Sequence, residues 1–322
     1  MTNYRCAPIA IAVVSTNLRE LLGPCLDSMR SDVEAGRAEV WVVDNASRDG
    51  SPEMVEREYA WVNLIASEVN LGYGRAVNLV AERTASPWLA PANEDIELRP
   101  GALERLLHTA EAHPKSAIVA PRLELADGST QHSVHAFPTV SLSLLFNLGI
   151  HRLSPGLADR LCLEGFWDPG RPREVPWAIA TFYLVRRQAI GKHGLFSTDQ
   201  FIHSEDIDLA WRLSRGGWST RYEPRATVFH VGSAASKKAF GDALWTRWMA
   251  ATYSWMARRR GVHIAWCVAA VNVSGATARW LAFLILARFR PGRFAARRDR
   301  YRSWATIHRT GLRSKQALLT EH

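Results

Sequence analysis

Three clusters of acids and amides in this chain have residue types and spacing suited to chemistry. Asp44-Asn45-Ala46-Ser47-Arg48-Asp49-Gly50 follows the apolar run EVWVV. A carboxylate there can accept hydrogen bonds from a nucleobase N–H or a ribose hydroxyl, while Gly50-Ser51-Pro52 can turn the chain and cap a helix. The same residue types also suit a plain turn. Asn93-Glu94-Asp95 closes the run WLAPA. Two acids at the end of a buried strand are costly unless paired or bound to a cation, and a divalent ion held there can bridge a diphosphate. The plainer alternative is an Asp capping the helix that starts near Pro100. The third cluster is His203-Ser204-Glu205-Asp206-Ile207-Asp208, leading into Leu209-Ala210-Trp211-Arg212-Leu213. Acids in a first helical turn are favoured by the helix dipole, yet three within four residues repel one another. A cation or a proton-transfer role would relieve that repulsion.

The elements that must position these clusters are visible as periodicities. IAIAVV (9–14), EVWVV (39–43), VNLIA (62–66), WLAPA (88–92) and SAIVA (116–120) are short apolar runs with strand character. Between them Leu18, Leu21, Leu22, Leu26 and Met29, and later Ala102, Leu103, Leu106, Leu107 and Ala110, recur at helical spacing. Such alternation predicts βαβ units, a mainly parallel sheet, and ligands at the C-terminal ends of its strands. The acid clusters lie at those ends. Two hairpins are expected, around Asp127-Gly128 and across WSTRYEPRATVFH, with a helix from about Glu205. Beyond residue 240 the chain reads as helical. Residues 264–278 carry no charge, but Arg279 interrupts before WLAFLILA, so interfacial or core helices are expected rather than a membrane span.

Composition bounds the function class. The chain has 322 residues, 47% hydrophobic and 22% charged, enough for a sizeable core. Cys6, Cys25, Cys162 and Cys267 form no C-x-x-C pair, which argues against a disulfide framework or structural zinc and for a reducing cytosol. The N-terminal apolar run reads as a buried strand, not a signal peptide. A dinucleotide fold would need a glycine-rich turn after the first strand, where STNLRE stands, so NAD binding is not expected. The net charge is +9, and Arg288 to Lys315 holds ten Lys or Arg beside the single acid Asp299. That block suits an anionic surface, phospholipid or nucleic acid, or simply a solvated tail. A nucleic-acid-binding protein is the rival class. No such binding motif is present, and the acid clusters would oppose phosphate unless filled by metal. Trp280, Phe283, Phe289, Tyr301 and Trp304, interleaved with the basic residues, favour an anionic membrane, and no nucleic acid partner is expected.

In order along the chain, VVSTN, VVDNASRDGS, NLGYGRAVN, ANEDIEL-x-PGAL, VAPRLELADGSTQ, ATFYLVRR, HSEDIDLAWRL and VFHVGSAAS resemble the motifs of family 2 glycosyltransferases, especially bacterial cell-wall and O-antigen rhamnosyltransferases. They cover roughly residues 8–236. The resemblance implies an α/β fold of GT-A type: a Rossmann-like, mainly parallel sheet flanked by helices. It implies a catalytic domain over 1–238, with a nucleotide-sugar half of about 1–120 and an acceptor half of about 121–238. A helical, basic, membrane-associating region over 239–322 completes the expected organisation. The reaction it implies is inverting transfer of a sugar from a nucleotide diphosphate donor to a hydroxyl of a lipid-linked or polysaccharide acceptor. The donor expected is dTDP-rhamnose, the alternatives being UDP-galactofuranose, a UDP-hexose or GDP-mannose.

Residue by residue, the resemblance makes Asp206 the general base. Asp95 and His230 become ligands of a Mg²⁺ or Mn²⁺ ion; without the family, His230 would read as a packed strand-end histidine. Asp44 contacts the base, and Asn70, Gly72 and Asn78 belong to the loop and helix closing over the donor. Thr16, Asn17 and Asn45 join the nucleotide-sugar set, as do Asn93, Glu94, Trp177 and Glu205. Two departures stand out. Phe196-Ser197-Thr198 replaces the F-D-E common in relatives, removing an acceptor-side acid, and Ala178, Ala180 and Thr181 stand where small glycines are usual. The expected location is the cytoplasm, peripherally on the inner face of the cell membrane.

Overall fold

A computed structural model describes residues 7–191, 195–198, 204–232 and 241–320. The chain divides into two units, Met1–Ala136 with Trp167–Ala239, and Phe137–Phe166 with Phe240–His322.

The first unit is built on a nine-stranded sheet. β1 (Ile9–Ser15) is buried along its whole length, as a central strand covered on both faces must be. It pairs in parallel with β2 (Ala38–Asn45) and β4 (Trp88–Asn93), and β2 pairs in parallel with β3 (Asn63–Ser67). The crossovers are α1 (Arg19–Glu34), α2 (Ser51–Glu58) and α3 (Tyr73–Arg83). α1 buries Leu22, Cys25, Leu26 and Met29, the stripe its spacing predicts. After β5 (Ile96–Leu98) and α4 (Ala102–Ala112) come β6 (Ser116–Glu124) and the short β7 (Val134–His135). The chain returns to this unit through β8 (Arg173–Val175), β9 (Trp177–Ala178), β10 (Leu184–Arg186), α8 (Arg187–Ile190), α9 (Glu205–Arg215) and β11 (Ser219–His230). The strand order is β3-β2-β1-β4-β10-β6-β11-β5, with β8 also on β11. β10 and β5 run antiparallel to their neighbours, and β11 is parallel to β6.

All five apolar runs are strands, and the Asp127-Gly128 turn is present, closed by a bridge between Glu124 and Thr130. The second expected hairpin is not a hairpin. Within it Ser219–His230 form one strand, with a register shift between Glu223 and Thr227 where Pro224 cannot donate to the ladder. Glu223 holds that bulge by accepting the Arg225 backbone amide (3.1 Å) and the Thr109 hydroxyl (3.0 Å). The chain therefore runs on and carries His230 to the end of the sheet where the acids lie.

The second unit is helical: α5 (Val140–Asn147), α6 (Ile150–Leu153), α7 (Pro155–Arg160), α10 (Leu244–Arg260), α11 (Val262–Phe289), α12 (Pro291–His308) and α13 (Lys315–Leu319). Residues 137–166, expected in the acceptor half, group with the C-terminal helices instead, tied by Asn147 Nδ2 donating to Asn272 Oδ1 (2.8 Å). Arg279 does not interrupt its helix. Its guanidinium donates to Asn147 Oδ1 (2.8 Å) and to the Gly275 carbonyl (3.1 Å), so α11 continues for 28 residues. By length and composition α11 is long and apolar enough to cross a membrane, contrary to the expectation from its hydropathy. α12 folds back along it, with Phe283 stacked on Tyr301 at 5.6 Å.

Candidate active site

The C-terminal ends of β1, β2 and β4 lie in register, Ser15 beside Asp44 and Val14 beside Asn93. The loops leaving them are stitched together. Glu94 accepts the Ser15 hydroxyl and the Thr16 amide, both at 2.7 Å. Asn17 has positive φ (57°); its amide donates to the Ser47 hydroxyl (2.9 Å) and its side-chain oxygen accepts the Arg48 amide (2.7 Å). Asp49 accepts the Arg19 amide and holds the Ser51 amide at the start of α2. Ala46 (φ 60°) and Ser204 (φ 69°) share the left-handed backbone, strain that clusters here because the surrounding bonds over-determine it.

Asp44 is buried. Its Oδ2 accepts the Ser47 amide (2.9 Å), while Oδ1 is buried with no partner. Burial raises its pKa, against the Ser47 hydrogen bonds. A buried acceptor without a donor points to a donor supplied by a ligand. Asn45 Oδ1 accepts the Leu71 amide (3.3 Å), and Asn70 Oδ1 accepts the Gly72 amide (2.9 Å). These contacts shape the loop into α3, where Gly72 sits at φ 78°.

At the other side of the site, β5 and β11 pair so that His230 faces Ile96, and the Val231 amide donates to the Asp95 carbonyl (3.0 Å). The two side chains meet: His230 Nε2 lies 3.3 Å from Asp95 Oδ1, both residues buried. His230 Nδ1 is 2.6 Å from Gln131 Oε1, brought there by the Asp127-Gly128 turn. Nδ1 thus faces an amide oxygen and Nε2 a carboxylate oxygen, and a proton or a cation lies between Nε2 and Asp95. Atoms about 2.1 Å from one ion at a right angle stand about 3.0 Å apart, close to this spacing. Among the described residues no three His, Cys, Asp or Glu gather into an all-protein cage. Asp95 and His230 thus fit an ion that completes its shell with phosphate oxygens and water, as Mg²⁺ commonly does.

The third cluster opens α9. Asp206 accepts the Ile207 amide (2.7 Å) and the Ala180 amide (3.3 Å). Glu205 Oε2 is buried without a partner. Burial raises both carboxyls, and for Glu205 the neighbouring Asp206 adds to it. Asp208 is a different case: its carboxylate pairs with Arg212 at 2.8 Å, an i,i+4 ion pair that relieves part of the repulsion expected between the three acids.

The segment 180–182 ties the halves together. Thr181 O accepts the Asn93 amide (3.0 Å), Ala180 N donates to Asp206, and Ala180 O accepts the Tyr73 hydroxyl (2.6 Å). The Tyr73 phenol is raised by burial and then by Glu205, Asp206 and Asp95, so one hydroxyl feels all three acids. Glu94 is raised by burial to about 7.

Two expected donor contacts are engaged elsewhere. Asn78 exchanges both amide groups with Phe196, at 2.8 and 2.9 Å, and braces α3. Trp177 is buried, stacked on His135 (4.7 Å) and donating to Ala136 O (3.1 Å). Tyr73 and Gln131 were not singled out from sequence, although both stand inside the quoted motifs. His203 and Ser236 lie outside the described residues.

The profile of the family described as "Glycosyl transferase family 2" matches residues 10–158. An N-acetylglucosaminyl-diphospho-decaprenol L-rhamnosyltransferase of Mycobacterium tuberculosis (strain ATCC 25618 / H37Rv) is 32% identical over 216 residues, 59% of this chain and 66% of that one. Rhamnosyltransferase WbbL of Escherichia coli (strain K12) is 29% identical over 131 residues, 40% of this chain and 46% of that one. The chain thus spans just under two thirds of the mycobacterial relative and under half of the E. coli one. Among solved structures, mannosyltransferase PcManGT from Pyrobaculum calidifontis, in complex with GDP-Man and Mn²⁺, has a TM-score of 0.57 at 16% identity, covering 99% of this chain and 88% of that one. S. aureus TarS 1-349 has a TM-score of 0.52 at 13% identity, covering 81% of this chain and 69% of that one. These likenesses place the fold in the GT-A class.

Proposed function

The chain belongs to glycosyl transferase family 2, and we propose that it moves a sugar, with inversion, from a nucleotide diphosphate donor to an acceptor hydroxyl in cell-envelope glycan assembly. The observation that carries this reading is geometric: Asp95 meets His230 at 3.3 Å, Asp206 accepts the Ala180 amide next to the Thr181 carbonyl that holds Asn93, and Asp44 keeps one buried oxygen without a donor at the end of a neighbouring strand. Asp44 holds the base or ribose. Asp95 and His230 would hold Mg²⁺ or Mn²⁺, which would supply positive charge to offset that of the diphosphate. Asp206 takes the proton of the acceptor hydroxyl as that oxygen bonds to the anomeric carbon. The bond from that carbon to the phosphate oxygen breaks, and its electron pair leaves with the nucleoside diphosphate. A single displacement from the opposite face inverts the centre. Asp206 must be ionised to act, so the raised pKa of the pair predicts that turnover falls with acidity.

The donor is dTDP-rhamnose and the acceptor a polyprenyl-diphosphate-linked sugar; rhamnosyl transfer is named in both the mycobacterial and E. coli relatives, and a diphospho-decaprenol acceptor in the mycobacterial one. Residues 1–238 are the catalytic region. Residues 239–322 hold the enzyme to the anionic inner face of the membrane. Nucleotide release measured across a panel of nucleotide sugars tests the assignment. The expected result is release with dTDP-rhamnose that stops in excess chelator and returns with Mn²⁺ or Mg²⁺. Full release in chelator removes the metal, and release only with another donor removes the rhamnose assignment.

A further inference from the structure

Among the described residues, every large exposed apolar side chain except Val69 and Val231 belongs to the helical unit. Ten of these thirteen gather in two stretches far apart in sequence. Leu144, Phe146, Leu148, Ile150 and Leu153 lie on and after α5, with Leu148 70% and Leu153 85% exposed. Leu281, Leu284, Ile285, Leu286 and Phe289 lie on the last two turns of α11, with Phe289 80% exposed. Arg279 joins the stretches by its bond to Asn147, and an apolar cleft of about 510 Å³ runs between Leu144 and Leu148 on one side and Ala270 and Ala278 on the other. Two runs of exposed apolar side chains on neighbouring helices are the kind of surface that marks a contact with a membrane or a partner.

α12 folds back against α11 and carries Arg293, Arg297, Arg298, Arg300 and Arg302. Arg293 sits 5.4 Å over Phe294 and Arg297 5.9 Å over Phe283, so the guanidinium groups border the apolar face. This arrangement decides between two ways of meeting a bilayer. If α11 crossed the membrane, its packed partner would carry five arginines into hydrocarbon with one acid, Asp299, to offset them. If the pair lies in the headgroup layer, the apolar side chains reach the acyl chains and the arginines meet lipid phosphates.

We propose that α5–α6 and the C-terminal half of α11 together form a one-leaflet docking face for an anionic phospholipid bilayer, with α11 lying in that leaflet and not spanning it. This deepens the membrane association described above. It adds residues 144–153, which sequence alone assigned to the acceptor half, and it fixes the topology.

The test uses the full chain and vesicles of phosphatidylglycerol and phosphatidylcholine. Leu148→Asp with Leu153→Asp should weaken vesicle binding at least about tenfold, even in high salt, with circular dichroism unchanged. Arg297→Gln with Arg298→Gln should weaken it at low salt only. For topology, native Cys267 and a Phe289→Cys variant are labelled with a membrane-impermeant thiol reagent in right-side-out and inverted membrane vesicles. Labelling of both positions from the cytoplasmic side alone is expected. Labelling from opposite sides would mean that α11 spans, and unchanged binding of the double Leu variant would mean that α5–α6 takes no part. Donor binding is measured on the same samples. Its absence in the wild-type protein, beside intact vesicle binding, would overturn the transferase reading and leave this one standing.

Discussion

One oxygen of Asp44 accepts the Ser47 amide while the other is buried without a donor, so the carboxylate weakens the free protein in order to receive something. Asp44→Asn keeps the Ser47 contact and replaces the unpartnered acceptor with an amine donor. Burial raises the Asp44 pKa, so losing the charge should stabilise the free protein. Donor affinity should fall about 10- to 150-fold, the loss expected for a hydrogen bond to a charged group. Thermal unfolding beside calorimetric titration of donor checks both; a variant that binds donor normally would contradict the role. The place of Asp44 and Asp95 at strand ends was legible from the apolar runs before them, whereas the roles proposed for them came with the family resemblance. Gln131 was not legible, because its value comes from a turn and a parallel pairing that set it beside His230, 99 residues away. Tyr73 was hidden likewise, since it matters through Ala180, 107 residues on.

Where two elements pack tightly, the consequences are about stability. In the helical unit Gly311 lies against the Tyr253 ring and Ala269, and an added Cβ would come within 2.6 Å of that ring. Gly311→Ala should therefore cost about 1–3 kcal/mol, read by urea denaturation, because the buried ring has nowhere to go. His308 Nδ1, on α12, is 2.8 Å from the Tyr253 hydroxyl, and burial lowers this histidine to about 4. The unfolded chain takes up that proton near pH 6.5, so its contribution to stability is whole above pH 6.5 and is lost as pH falls toward 4. The loss is roughly 2 kcal/mol by pH 5, and His308→Gln should remove that slope. An unchanged slope in the variant would place the acid sensitivity elsewhere. At this scale β1–β4, β6, α1 and α4 follow from apolar runs and period, and α9 begins where its acids predicted, whereas β5 and β7–β10 were not read from sequence. What sequence misread has a common cause: Pro224 looked like a turn but made a bulge, and Arg279 looked like a break but was satisfied by Asn147. Residues 137–166 found their partners more than a hundred positions away.

The molecule combines a unit that gathers acids at the ends of a sheet with a unit that exposes apolar and basic surface. In the mechanism proposed for the first, binding and chemistry rest on separate residues, which makes them separable by substitution. Asp95→Asn should lose metal-dependent donor affinity together with turnover, whereas Asp206→Asn keeps the side chain's shape and its carbonyl oxygen can still accept the Ile207 amide, the shorter of its two hydrogen bonds. If Asp206 were only an acid placed to favour the start of α9, replacing it would cost stability of about 0.5–1 kcal/mol and leave catalysis largely intact. As the general base, it supplies a factor of about 10²–10⁴ in rate. The most direct test is the turnover of Asp206→Asn at saturating donor and metal. The account predicts a fall of about 10²–10⁴ from wild type. Turnover within a few-fold of wild type would contradict it.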